Sequence, residues 1–179
     1  DNANFAFFGT KLNGQPQQLS RDKRAIASVN TNLGDAMGKV YVDKYFPASA
    51  KTEVQKMVGN IKAAFAAKVK ALDWMAPSTK AEALKKVEGI EVGIGYPDTW
   101  LDYSTLTVGN SAYTNEIAAQ KVRYAQQLAK IGKPQDRKEW WMTPQTVNAV
   151  NLPVQNSLNF PAGIMQRPFF DAKADPAFN

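Results

Sequence analysis

The sequence has no cysteine and no histidine among its 179 residues. Without cysteine there are no disulfides, no thiolate ligands for zinc and no thiol nucleophile. Without histidine the exclusions widen, because no Ser-His-Asp triad, imidazole general base or His-ligated metal can be assembled from these residues alone. Long hydrophobic runs are missing too. No stretch approaches the roughly 18 consecutive apolar residues of a membrane-spanning helix, and no signal-peptide pattern opens the chain. Neither sign of charge dominates: 22 Lys and Arg stand against 16 Asp and Glu, a net +6. Residues 1–92 carry 14 basic and 9 acidic side chains, and residues 93–179 carry 8 and 7. The excess is spread among Ala-rich segments as solvated helix faces. It is not gathered into the single basic face that grips nucleic acid, so no nucleic-acid partner is expected.

What is present is ordinary for a folded soluble protein, with 44% hydrophobic and 21% charged residues. The length suits one or two small domains with a real core. Residues 1–19 read as a loop, with Phe5, Phe7 and Phe8 clustered before Gly9 and a turn at Asn13-Gly14. Ser20 is placed to cap a helix running to about Val42. Its apolar positions Ile26, Val29, Leu33, Met37, Val40 and Tyr41 recur at three- and four-residue steps and share one face. After Pro47, Val54, Met57, Ile61, Phe65, Val69 and Leu72 draw a second stripe. Pro77 opens a shorter helix with Ala83, Leu84 and Val87 inward, stopped by Gly89. Three helices with short connections predict a helical bundle.

The pattern then changes. Ile90, Val92 and Ile94 alternate with Glu91, Gly93 and Gly95, as in a brief strand or an extended linker. Gly93 and Gly95 do not make a dinucleotide loop, because Asp98 stands where the third glycine belongs. A long helix is predicted from about Ser111 to Ile131, with Ile117, Tyr124, Leu128 and Ile131 as its stripe and Gly132 and Pro134 as its stop. Beyond it, Val147–Leu152 and Leu158–Met165 flank Pro153–Asn156 and read as a β-hairpin. Pro153, Pro161 and Pro168 argue for edge or irregular strands, since proline cannot donate into a ladder. So much aromatic and apolar surface needs a covering layer, and the chain is expected to be part of a larger domain. The fold class expected is mainly α, a helical bundle segment followed by a long helix and a short β-hairpin.

The stretch Val147-Asn148-Ala149-Val150-Asn151, followed by Asn159-Phe160-Pro161-Ala162-Gly163-Ile164-Met165-Gln166-Arg167-Pro168-Phe169-Phe170-Asp171, resembles the neprilysin/endothelin-converting-enzyme family of zinc metallopeptidases, in particular its bacterial oligopeptidase branch. Leu33-Gly34 with Gly38, Tyr45-Phe46-Pro47, Leu72-Asp73-Trp74-Met75, Ile94-Gly95-Tyr96-Pro97, Asp136-Arg137 and Trp141-Met142-Thr143-Pro144 also fall in that family's order. The resemblance implies a helical lid closing over a thermolysin-like catalytic domain. Residues 1–92 would be the C-terminal part of the lid and residues 93–179 the N-terminal part of the catalytic domain. Asn148 and Ala149 would hydrogen-bond an extended peptide substrate, and Ile164 and Phe169 would line the apolar pocket for the residue after the scissile bond.

The resemblance has three departures. Val150 and Asn151 stand where the family has two aromatic residues, Arg167 replaces the first of two prolines, and the zinc-binding H-E-x-x-H helix is absent. The family's order puts that helix C-terminal to Phe169-Phe170-Asp171. The expectation is therefore a fragment of a zinc metalloendopeptidase acting on short peptides and inactive alone. Zinc would belong to the full-length enzyme and to none of these residues, with the remaining catalytic part as partner. Extracellular animal members of the family use several disulfides, so a cysteine-free stretch fits a bacterial member better. A periplasmic or secreted location is favoured over the cytoplasm. The alternative is a non-catalytic module that holds extended peptides with its aromatic β-hairpin.

Overall fold

The computed structural model describes residues 2–179. A three-residue helical turn, α1 (Asn2–Asn4), leads into a π-helix over Phe5–Leu12 where a loop is predicted. Its wider winding shows in Asn13 N–H donating to Phe8 O at 3.2 Å, and Gly9 lies over the Phe5 ring with no room for a Cβ. The Asn13-Gly14 turn follows, Gly14 having a φ of 64°.

The predicted helix from Ser20 to Val42 is two helices, α2 (Arg21–Asn32) and α3 (Gly34–Tyr45). The break is at Leu33, with φ −127° and ψ 33°. Beside it the buried Asn32 donates from Nδ2 to Ser28 O at 2.9 Å, one turn back, a local bond that competes with helix continuation. The buried face also differs from the apolar stripe. Ile26 and Val40 are 60% and 62% exposed, whereas Gly34, Gly38 and Val42 are buried. A Cβ on Gly34 would stand 2.8 Å from Thr143 Cγ2, and one on Gly38 would stand 2.5 Å from Pro144 Cδ. The missing side chains let the segment around Pro144 seat directly on α3. Gln145 fastens it, donating from Nε2 to Asn30 Oδ1 at 2.9 Å and to Gly34 O at 3.0 Å.

Pro47 is the N-cap residue of α4 (Ala48–Ala71), which buries Ala50, Val54 and Val69 but leaves Ile61 and Phe65 exposed. Pro77 begins α5 (Pro77–Glu88), which packs on α4 and buries Val87, as predicted. The alternating segment is a strand, β1 (Glu91–Gly95). Ser111 caps α6 (Ala112–Leu128), its hydroxyl accepting from Thr114 N–H. This helix packs against α2, and Tyr124 and Ile131 of its predicted stripe are exposed. The hairpin forms from β2 (Val150–Leu152) and β3 (Ser157–Pro161), both shorter than predicted.

The sheet order is β1-β3-β2, so β3 is central and not an edge strand. It runs parallel to β1, pairing Glu91 with Ser157 through to Gly95 with Pro161, and antiparallel to β2. Pro161 is tolerated because it stands at the last pair; the next residue, Ala162, donates to Gly95 O at 2.9 Å. The core lies between the α3–α4 corner and one sheet face, built from Val42, Phe46, Ala50, Val54, Ile94, Ala162 and Met165. Mainly helical structure around a small sheet agrees with the fold class read from the sequence.

Asp35, in the first turn of α3, carries the most informative titration. Burial raises its carboxyl above the usual carboxylate range, partly opposed by the Arg123 guanidinium, its own backbone N–H and the Tyr103 hydroxyl. A raised folded-state pKa means that this group's stabilising contribution is full below the unfolded value near 3.8 and is lost as pH climbs through the folded value. Asp35→Asn removes that dependence. Relative to wild type, the variant's urea midpoint is expected to rise as pH goes from about 3 to about 6. A difference that stays flat with pH would show that Asp35 does not titrate upward.

Candidate functional site

The candidate site is the outer edge of the sheet. β2 has β3 on one side, through Val150 opposite Asn159 and Leu152 opposite Ser157, and is the last strand of the sheet. Alternate residues of such a strand direct their N–H and C=O groups away from the sheet, where another extended chain can pair with them. The edge is short because Pro153 follows it at once, and the chain turns through Gln155 and Asn156. Asn156 takes the left-handed conformation the turn needs, with φ 49°, which asparagine tolerates better than most residues.

Asn148 and Ala149 are exposed and immediately precede β2. Asn148 Oδ1 accepts from Ala149 N–H at 2.8 Å, which aligns the side chain along the backbone. Among the described residues its Nδ2 group makes no hydrogen bond and remains a donor open to solvent. The two other residues singled out in the sequence lie past the far end of β3. Ile164 is half-buried and packs against the core, while Phe169 is 61% exposed. The hollow of about 400 Å³ nearby is lined by Tyr45, Phe46, Met165 and Phe170 among others, and by neither Ile164 nor Phe169. Asn148 and Ala149 thus stand together at the edge, while Ile164 and Phe169 lie past the far end of β3.

The departures from the resemblance can also be placed. Val150 and Asn151 are the first two residues of β2, with Asn151 exposed. Arg167 is exposed and turns its charge onto Asp171, with Nε donating to Oδ2 at 2.8 Å. The Lys173 backbone N–H and this guanidinium hold the Asp171 carboxyl below the usual range.

Two residues with no signal in hydrophobic periodicity support the edge from behind. Asn159 on β3 is 3% exposed; its Nδ2 donates to Leu158 O at 3.2 Å, and its Oδ1 has no partner among the described residues. It lies beside Gly93, where a Cβ would come within 2.7 Å of the Trp140 ring, so that ring covers the face opposite the core. Arg137 donates to Gln155 O from Nε at 2.7 Å and also bonds Gly89 O.

Among the described residues no group of three or more Asp, Glu, His or Cys side chains is arranged to hold a metal ion. These side chains do not fit a zinc centre. No described helix is long and apolar enough to cross a membrane.

The model for peptidase family M13 matches residues 1–97, more than half of the chain. The chain belongs to peptidase family M13. Among curated M13 relatives, neprilysin-3 of Drosophila melanogaster is 33% identical over 162 residues, covering 86% of this chain and 21% of that protein. The neutral endopeptidase of Lactobacillus helveticus is 33% identical over 167 residues, covering 92% of this chain and 26% of that protein. In three dimensions the chain is similar to Mycobacterium tuberculosis zinc metalloprotease ZMP1 in an open state, with TM-score 0.90 and 42% identity over 98% of this chain and 27% of that one. The chain spans about a fifth to a quarter of the length of these relatives.

Proposed function

We propose that this chain is a segment of an M13 zinc-dependent metalloendopeptidase that hydrolyses short peptides, supplying lid helices and substrate-side strands, and that it is inactive alone. The observation that carries this reading is the edge position of β2, with Asn148 and Ala149 exposed directly before it, in a chain of this family. An extended peptide laid along β2 would pair with its outward backbone groups, as added strands do on open sheet edges. The Asn148 Nδ2 group would hold the peptide backbone, and the Ala149 carbonyl would extend the ladder, its N–H being held by Asn148 Oδ1. Ile164 and Phe169 would line the apolar pocket for the residue after the scissile bond, Phe169 offering the more exposed surface.

Residues 1–92 would contribute to the lid and residues 93–179 to the catalytic domain. That division falls inside β1, so the two parts would share a strand as well as the seat of Pro144 on α3. Zinc would be held by another part of the enzyme, because the side chains here do not fit a metal centre.

The test compares this chain with the full-length protein that carries it. The full-length enzyme is expected to cleave a fluorogenic peptide and lose that activity to a chelator, and the isolated chain to give no turnover above buffer. Turnover by the repurified isolated chain would overturn the claim of inactivity. Peptide binding without hydrolysis by the zinc-loaded full-length protein would favour a non-catalytic peptide-binding module.

A further inference from the structure

We infer that Arg137 is a positioning residue for the substrate edge: its guanidinium locks the β2–β3 turn to the C-terminal end of α5 and so fixes where β2 lies. This rests on the substrate-edge reading of β2 given above. Arg137 Nε donates to Gln155 O at 2.7 Å, and Nη2 donates to Gly89 O and, at 3.4 Å, to Asn156 O. One planar fork therefore holds carbonyls from two segments that lie far apart in sequence. Asn156 adds a parallel tie, donating from Nδ2 to Lys86 O at 3.1 Å. Gln155, itself buried, returns a contact from Nε2 to Asp136 O at 3.5 Å.

The electrostatics favour this arrangement. The last carbonyls of α5 have no partners within the helix and carry its negative end, where a cation is stabilising. Lys62 takes two neighbouring carbonyls, Glu88 O at 3.4 Å and Ile90 O at 3.1 Å, but reaches no part of the hairpin. Arg137 joins the same helix end to the turn. The consequence is register. Glu91 N–H donates to Asn156 O at 3.1 Å, and the β1–β3 pairing follows from Glu91 opposite Ser157. A one-residue slip of β3 would exchange the faces of Leu158 and Asn159, bringing the leucine beneath Trp140. β2 is three residues long and among the described residues pairs only with β3, so it goes where the turn goes.

The experiment uses the full-length enzyme, with steady-state kinetics on a fluorogenic peptide and amide hydrogen exchange read segment by segment. Arg137→Ala is expected to raise KM about tenfold with kcat changed less than about twofold. Exchange should quicken in residues 148–161 and stay unchanged in α4 and α6. Arg137→Lys keeps a charge for Gly89 O but loses the fork, and should fall between the two; it carries the test if the alanine variant does not fold. Unchanged KM, or exchange rising uniformly through the chain, would overturn the inference. A separate arm probes the wild type with a non-hydrolysable peptide inhibitor. If residues 148–152 gain no protection, the edge reading fails and the inference with it. If they are protected and Arg137→Ala behaves as wild type, only the inference fails.

Discussion

On the proposed substrate-edge reading, replacing Asn148 with alanine in the full-length enzyme is expected to lower kcat/KM by roughly fivefold to 150-fold, the equivalent of about 1–3 kcal/mol. The side chain is exposed, its Oδ1 is engaged by Ala149 N–H, and its Nδ2 group is not engaged within the described residues. An extended peptide at this edge would offer backbone carbonyls to that donor, so alanine leaves the carbonyl facing it unpaired. Asn148→Asp separates the two halves of the amide. The carboxylate keeps an acceptor for Ala149 N–H but has no donor, and it should rescue little of the loss. Stability should change by less than about 0.5 kcal/mol in either variant, because the side chain is exposed. Wild-type kinetics in Asn148→Ala would remove the residue from the substrate site.

How far the fold could be read beforehand depended on where each helix gets its burial. For α5, the stripe ending at Val87 and the stop at Gly89 share one logic, and prediction and structure agree. In α3 the buried face is Gly34, Gly38 and Val42, and a search for apolar side chains passes over glycines that are buried because they are small. The break at Leu33 escaped for a related reason, since Asn32 and Gly34 act through one hydrogen bond and one close contact and not through hydrophobicity. In the second half, the alternation at Ile90–Ile94 signalled a strand but not its partner. β3 lies more than sixty residues away, and no local pattern encodes a parallel pairing at that distance. The prolines misled about β3 because Pro161 sits at the one position of that strand where a lost donor is harmless.

The candidate site divides in the same way. Asn148 and Ala149 were legible through the motif, and an edge strand was physically reasonable from the prolines and the hairpin. Arg137 and Asn159 lie in the matched motifs, but their part in supporting the edge was not legible. Arg137 bonds carbonyls 18 and 48 residues away, and a backbone acceptor leaves no mark in the sequence. Asn159 alternates with Leu158 and Phe160 as any outward polar residue would, yet it is buried by Trp140 and the glycine at position 93. The exposed Ile61, Phe65, Tyr124 and Ile131 look amphipathic in the sequence and stay uncovered among the described residues. Their stripes report helix formation, although α6 stops at Leu128, short of Ile131, and they say nothing about which surface meets them.

Gly95→Ala is expected to be the most destabilising single methyl addition at the sheet–helix corner, by roughly 2–5 kcal/mol. Two effects add there. The residue has a φ of 79°, where an L side chain costs about 1–2 kcal/mol. Its Cβ would also stand 2.4 Å from Phe46 Cε1 and 3.0 Å from Cδ1. Phe46 is 3% exposed, wedged in the core and meeting Tyr96 edge-on at 6.3 Å, so its ring has little room to retreat. Overpacking of that kind typically costs about 1–3 kcal/mol. Gly132 provides the control, having a φ of 75° with nothing within 4 Å of a built Cβ. Gly132→Ala should show the backbone cost alone, so the difference between the two denaturation midpoints isolates the clash. Phe46→Leu in the Gly95→Ala background should recover part of that difference, a coupling absent when Phe46→Leu is combined with Gly132→Ala. Equal losses in the two alanine variants would mean that the ring yields. The demand for glycine at position 95 would then be conformational only.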